Sequence, residues 1–346
     1  MKIGFIDHEY HKKTKSSIFF IDLLISYGWD VNLLYVNCNE NIDGFIKITN
    51  DQNYNKLIFW QVIPSAKNLL SFETEDIYLI PMYDACSSWN FKKWEKYKKF
   101  KFISFSKALN SIFEKLGMDY LYVKYAPKAE LLVDNLNSGK KTILTAFVWR
   151  RSATLNLPKL FNSLIKLGVE KVFLHDSPDP PALSLEGEIS YKNLEIETSY
   201  WFNTHSEYLD IIKICDIYIA PRMTEGIGMS FLEAMSLGIC VFAPNKPTMN
   251  EYIIDGNNGI LFENFKDIEN KNLNNIERLK TNALKTIYDE SMNWQASKEY
   301  LFNYFIENLS TNNKSIPAIQ ILYKDFIIFL TRFKAYMLKY IIKTDY

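Results

Sequence analysis

The chain is poor in the residues that build metal clusters and disulfide frameworks. Its four cysteines, Cys38, Cys86, Cys215 and Cys240, are widely spaced and form no Cys-x-x-Cys pair, which argues against a zinc ribbon or a dense disulfide scaffold. The four histidines, His8, His11, His175 and His205, show no ligand spacing such as His-Glu-x-x-His, so no protein-bound catalytic metal and no cofactor are expected. Net charge is missing as well, with 40 Lys+Arg balancing 40 Asp+Glu. Without a global field, nucleic acid is not an expected partner. No stretch approaches the roughly 18 consecutive apolar residues of a membrane span. The amino terminus, MKIGFIDHEYHKK, turns polar too soon for a secretory signal, and a reducing cytoplasm is the expected compartment.

What is present is apolar and aromatic. Hydrophobic residues make up 48% of the chain and aromatic residues 15%, a composition that folds rather than one that stays disordered. At roughly 100–200 residues per domain, 346 residues predict two domains, and two domains imply a cleft.

The first half alternates apolar runs with amphipathic ones. MKIGFI reads as a strand, residues 17–27 as a helix stopped by Gly28, and residues 31–36 as the next strand. Further strands are predicted at 56–63, 77–81 and 100–105, the last followed by the helical SKALNSIFEKLG. Parallel strands need crossovers of this length, so the pattern predicts an α/β, doubly wound sheet. Around residues 126–141 a Pro, Asn, Ser and Gly stretch interrupts the alternation, and a second α/β series follows. It has strands at 142–148, 171–175, 216–221 and 239–243, with helices near 158–168 and 205–214 and another that ends at Gly238. The expected division is 1–128 for the first domain, 129–140 for a linker, 141–312 for the second domain and 313–346 for a terminal helix. Residues 316–346 carry an apolar stripe with interspersed lysines and an arginine. Such an amphipathic helix either packs on the first domain or lies on a membrane surface.

One segment carries the chemistry: APRMTEGIGMSFLEAMSLGICVFAPNKPTMNEYIIDGNNGILF, residues 220–262. Gly226 and Gly228 let the backbone approach a ligand closely, and the helix that starts near Ser230 offers unpaired N–H groups to a phosphate. Glu225 and Glu233 stand eight positions apart, and a carboxylate can accept two hydrogen bonds from a vicinal diol. Two structural alternatives compete. Ser230-x-x-Glu233 and Thr248-x-x-Glu251 both match a capping box, in which the glutamate only bonds its own helix terminus.

Glu225 to Glu233, headed by EGIG and followed by LEAMSLG, a strand and Asp255-Gly256-x-x-Gly259-x-Leu261, resembles the E-x7-E signature of retaining, nucleotide-sugar-dependent glycosyltransferases of family 4. The resemblance implies the GT-B fold, two Rossmann-like domains facing across a cleft. It places Glu225 beside the donor sugar at the reacting centre. Gly226, Ile227, Gly228, Met229 and Ser230 would meet the diphosphate or sugar through their backbone, and Glu233 would hold the ribose. The family's arginine after the first strand of the second domain has counterparts in Arg150 and Arg151, as catalytic and donor-binding cations. Its following lysine is missing at the expected distance, and Arg222 is the candidate substitute, against a surface arginine that simply pairs with Glu225. The family's glycine turn after the first strand is also absent. Lys12, Lys13 and Lys15 stand there, either for an anionic acceptor or as a solvated charge run. Asp84 lies where an acceptor-activating base is expected, or else only forms a turn.

The reaction implied is metal-independent transfer of a sugar from a nucleotide-diphosphate sugar to the hydroxyl of a glycan or lipid-linked acceptor, in surface polysaccharide or glycoconjugate synthesis. A non-catalytic nucleotide-sugar-binding or scaffold subunit is the alternative. Trp60, Trp89 and Trp201 are the candidate sugar-stacking residues.

Overall fold

Two parallel six-stranded sheets carry the architecture. The computed structural model describes residues 1–37, 42–74, 76–129, 143–152, 155–180, 182–185, 187, 189–220 and 222–306. The first sheet contains β1 (Lys2–His8), β2 (Asp30–Val36), β3 (Lys56–Trp60), β4 (Ile77–Ile80), β5 (Lys101–Ser104) and β6 (Asp119–Tyr122), in the order β2-β1-β3-β4-β5-β6. The second contains β7 (Leu144–Trp149), β8 (Val169–His175), β9 (Glu195–Ser199), β10 (Ile217–Ile219), β11 (Cys240–Pro244) and β12 (Ile260–Phe262), in the order β12-β11-β10-β7-β8-β9. Strand order therefore reverses between β1 and β3 and between β7 and β10. Those are the points where doubly wound sheets open a ligand crevice at the carboxyl ends of their strands.

The central strands are apolar throughout because helices cover both of their faces. KLIFW of β3, IYLI of β4 and CVFAP of β11 are buried at every position. One apolar cluster fills the outer face of each sheet, around Phe59, Trp94 and Phe102 in the first and around Val148, Phe161 and Phe242 in the second. A third runs through both domains, from Phe20 and Trp60 through Tyr125 and Trp294 to Phe231 and Val241.

The link between the domains is the helix Ile276–Ile306, 31 residues long. It leaves the second domain and packs back on the first, where Tyr27 Oη donates to Lys298 O at 2.5 Å and Tyr78 Oη to Tyr304 O at 3.3 Å. Lys124 adds an ion pair to Glu290 at 2.7 Å. Residues 313–346 were expected either to return to the first domain or to lie on a membrane surface. The helix that makes this return lies earlier in the chain, and 313–346 fall outside the described residues, as do Cys38 and most of the 129–140 stretch.

Local signals act as expected at several helix ends. Ser106 caps the helix Lys107–Leu116 by accepting from Ala108 N, and Gly117 closes it at φ +60°. Asn156 accepts from Lys159 N at the start of the helix Leu157–Leu167. Trp60 is corrected: it is 1% exposed, in the first-domain core against Phe5, Phe20 and Phe105, and cannot stack on a sugar. Trp89 lies against Trp94 and Tyr97 with Lys93 over its ring, which gives it a packing role. Among the described residues no helix is long and apolar enough to cross a membrane.

Candidate active site

At the reversal between β7 and β10 the two strands deliver their following loops side by side. The β7 loop brings Arg150 and Arg151, and the β10 loop brings Arg222, Glu225 and the glycine turn. Arg222 is the hub. Its Nη2 lies 3.0 Å from Asp84 Oδ2 in the first domain, and its Nη1 lies 3.5 Å from Glu225 Oε2 and 3.7 Å from Asp179 Oδ2. Arg151 Nη2 meets the other oxygen of Asp179 at 3.0 Å, while its buried Nε has no partner. Two guanidinium groups thus face three carboxylates.

Burial raises the pKa of Glu225, and Arg222 and Arg151 pull it back only in part. For Arg151 burial works against the charge, but Glu225 and Asp179 more than offset it and the guanidinium stays charged. An incoming diphosphate would find two charged forks whose present partners are carboxylates, one of them poised toward its neutral form.

The turn behind them has little room. A Cβ on Gly226 would stand 2.8 Å from Met82 Cβ and 3.1 Å from Asp84 Oδ1, so only glycine lets this loop pass the first domain. Gly228 precedes the helix Met229–Ser236 at φ +80°, where a Cβ would meet the Phe231 ring at 2.0 Å. Ile227 is buried, and its carbonyl accepts from Thr248 Oγ1 at 3.2 Å. Met229 and Ser230 form the first turn of that helix, which carries no side-chain cap.

Neither capping box forms. Glu233 Oε1 is 3.0 Å from His205 Nε2, and that hydrogen bond raises the pKa of His205. Glu251 instead reaches into the first domain, accepting from Ser106 Oγ and Lys107 N at 2.9 Å each. It therefore caps the helix Lys107–Leu116 from the other domain.

Arg150 is drawn inward. It is 6% exposed, with Nη1 at 2.5 Å from Asp176 Oδ1 and 3.1 Å from Leu183 O, so it anchors the loop after β8. Asp84 Oδ1 accepts from Ala85 N at 3.0 Å, and its Oδ2 faces Arg222. Trp201 stands in the cleft, with Lys13 Nζ 4.2 Å from its ring centroid and Trp149 and Tyr10 against its edges. Lys12 pairs with Glu9 at 3.3 Å.

Two features lay outside the sequence reading. Asp179, in the proline-rich loop after β8, joins Arg151 and Arg222 and accepts from Tyr10 Oη at 3.5 Å. Burial and this carboxylate push the Tyr10 phenol up to about 12. Nothing but its place after a strand end marks Asp179 in the sequence. Lys159 was too far along the chain to match a motif lysine, yet it lines a cavity of about 520 Å³ together with Asp84, Ser152, Arg222 and Phe265.

Residues 184–289 match the family model of glycosyl transferases group 1. No curated protein matches the chain. Several solved structures share its architecture. Sucrose-phosphate synthase from Thermosynechococcus elongatus superposes with a TM-score of 0.66 at 11% identity, over 90% of this chain and 99% of that one. Anabaena HepE, in complex with UDP and glucose, gives 0.58 at 12% identity over 88% and 100%. The lipopolysaccharide outer core galactosyltransferase WaaB gives 0.57 at 13% identity over 87% and 100%. At such identities the likeness is one of fold: the chain has the GT-B architecture of two Rossmann-like domains, and it is similar to group 1 glycosyl transferases over residues 184–289.

Proposed function

We propose that the protein is a glycosyltransferase that moves a sugar from a nucleotide-diphosphate sugar to an acceptor hydroxyl. The observation that carries this reading is the convergence of Arg151 and Arg222 on Glu225, directly before the Gly226–Ser230 turn and its helix terminus. In glycosyl transfer the anomeric carbon becomes cation-like as negative charge builds on the departing diphosphate. Two fixed guanidinium groups and the backbone amides behind them answer that charge, a device worth several kcal/mol per well-placed donor. Glu225, beside the sugar, and Glu233, at the ribose, complete the donor side. Arg150 serves as a positioning residue behind them.

With arginines in this role the reaction is metal-independent, and it retains anomeric configuration as the family 4 resemblance implies. The acceptor is a hydroxyl of a growing surface polysaccharide or glycoconjugate. The lipopolysaccharide outer core galactosyltransferase WaaB, which shares the fold, supports this choice of acceptor.

Nucleotide sugars should raise the thermal stability of the protein by mass action. Glu225→Ala should keep that binding and lose release of the nucleotide diphosphate. Unchanged release would remove Glu225 from the chemistry, and loss of activity in excess EDTA would overturn metal independence. Proton NMR of the anomeric centre reads the stereochemistry directly.

A second reading, a non-catalytic nucleotide-sugar-binding subunit, is favoured by the commitment of Arg150 to Asp176. Binding without turnover of any donor would select it.

A further inference from the structure

Transfer to a hydroxyl releases a proton, and the first domain carries a group built to take one. Asp7, at the end of β1, is 1% exposed. Its Oδ1 accepts from His8 N at 2.7 Å and lies 2.5 Å from His11 Nδ1, while its Oδ2 accepts from Ser17 Oγ at 2.5 Å. A carboxylate can only accept, so its contact with His11 places a proton on Nδ1, and Nε2 is the ring atom left to exchange a proton with a ligand. An imidazole oriented by a buried carboxylate is the arrangement general-base catalysis uses.

The position suits an acceptor. β1 and β3 flank the point where the strand order of the first sheet reverses, so the loop after β1 borders that domain's ligand crevice. Two residues near His11, Tyr10 and Lys13, reach the second domain. Tyr10 Oη donates to Asp179 at 3.5 Å, and Lys13 Nζ sits 4.2 Å from the Trp201 ring centroid. Asp179 lies 3.7 Å from Arg222, and Arg222 lies 3.5 Å from Glu225, so a short chain of contacts joins the segment to the reacting centre.

We propose that His11 accepts the proton of the acceptor hydroxyl, with Asp7 as its positioning residue, and that the acceptor is an alcohol such as a sugar hydroxyl. A phosphate or carboxylate acceptor would already be an anion and would need no base. The proposal rests on the glycosyltransferase reading. The acceptor oxygen bonds to the anomeric carbon on the face that the diphosphate oxygen vacates as the bond to that oxygen breaks, so the configuration is retained. The bonding pair leaves with the diphosphate, and the acceptor proton passes to His11 Nε2 and then to water.

The test needs no knowledge of the natural acceptor, because water is itself a hydroxyl acceptor and azide is an anion that needs no base. UDP release from UDP-glucose is measured for the unmutated protein, His11→Gly and Asp7→Asn, with and without azide or imidazole. Calorimetry follows binding of the donor. In His11→Gly, hydrolysis should fall by about 10²–10⁴-fold, the range of general-base catalysis, with donor affinity within about twofold. Azide or imidazole should restore part of the rate, which no structural role for His11 explains. Asp7→Asn should fall less and respond to azide in the same way. Unchanged hydrolysis in His11→Gly, or a loss that neither additive relieves while UDP-glucose still binds, would overturn the proposal. Failure of the unmutated protein to bind any of a panel of nucleotide sugars would overturn the glycosyltransferase reading, and this proposal with it.

Discussion

Arg222 Nη2 and Asp84 Oδ2 are 3.0 Å apart, and their hydrogen bond joins the loop after β10 in the second domain to the short helix Tyr83–Cys86 after β4 in the first. The same guanidinium faces Glu225 and Asp179. One side chain therefore bridges the two domains and the buried Glu225 carboxylate. Under the proposed function, an anionic donor arriving here would compete with Asp84 for Arg222.

Arg222→Ala should lower kcat/KM by about 10²–10³-fold, as expected when a preorganised donor to developing charge is removed. Arg222→Lys keeps the charge but loses the fork, and should recover only part of the rate. Steady-state kinetics read both, and an unchanged kcat/KM for Arg222→Ala would leave the residue no role in the transition state.

Glu225→Gln should stabilise the fold more at high pH than at low pH. Burial raises the folded-state pKa of Glu225 above its ordinary value of 4.5. Stability from a group shifted in that direction is fully present below about pH 4.5 and is lost as pH rises through the raised value. Glutamine does not titrate, and Arg222 keeps Asp84 at 3.0 Å as a partner. The melting temperature of the variant relative to the unmutated protein should therefore climb between pH 4 and pH 8. A difference that is flat or that falls with pH would contradict a buried, raised Glu225.

The fold was legible wherever strands were buried on both faces, because such strands read as continuous apolar runs. β3, β4 and β11 are examples. The edge strand β9, EIETS, was passed over because every residue in it is only partly buried or exposed and its sequence is polar. The helix Ile276–Ile306 was missed for a related reason. Its buried positions run along one face from Leu279 and Ile287 to Trp294 and Phe305, but Lys280 and Ser291 sit in that face and dilute the apolar stripe. In the site, the Gly226–Ser230 turn was visible because its residues adjoin in sequence. Asp179 meets Tyr10 from a separate strand end, and such convergence leaves no spacing to read; Asp7 and His11 stand four positions apart, but in a segment whose lysines read as a charge run.

Glu251 makes a prediction about stability alone. Its carboxylate accepts from Ser106 Oγ and Lys107 N across the domain boundary, and Tyr252 Oη beside it donates to Tyr125 O at 2.7 Å. Glu251→Ala removes a helix cap and should cost about 1 kcal/mol by chemical denaturation. Glu251→Gln keeps an acceptor and should cost less. Equal losses in the two variants would mean that the charge, and not the cap, is what matters.

Gly226→Ala should impair catalysis far more than stability. The added Cβ would meet Met82 Cβ at 2.8 Å and Asp84 Oδ1 at 3.1 Å, both in the first domain, so the clash is between domains rather than within one. The cleft can relieve it by opening slightly. Opening, however, separates Arg222 from Asp84 and shifts Glu225 away from the acceptor side. A displacement of about 1 Å at a reacting centre can cost about 10²-fold in rate. The expected result is a loss of that order in kcat with the melting temperature little changed. Met82→Gly, which removes the opposing Cβ, should return part of the activity to the double variant. If the second substitution returns nothing, the contact with Met82 is not the cause, and Gly226 acts through the backbone it presents to the donor.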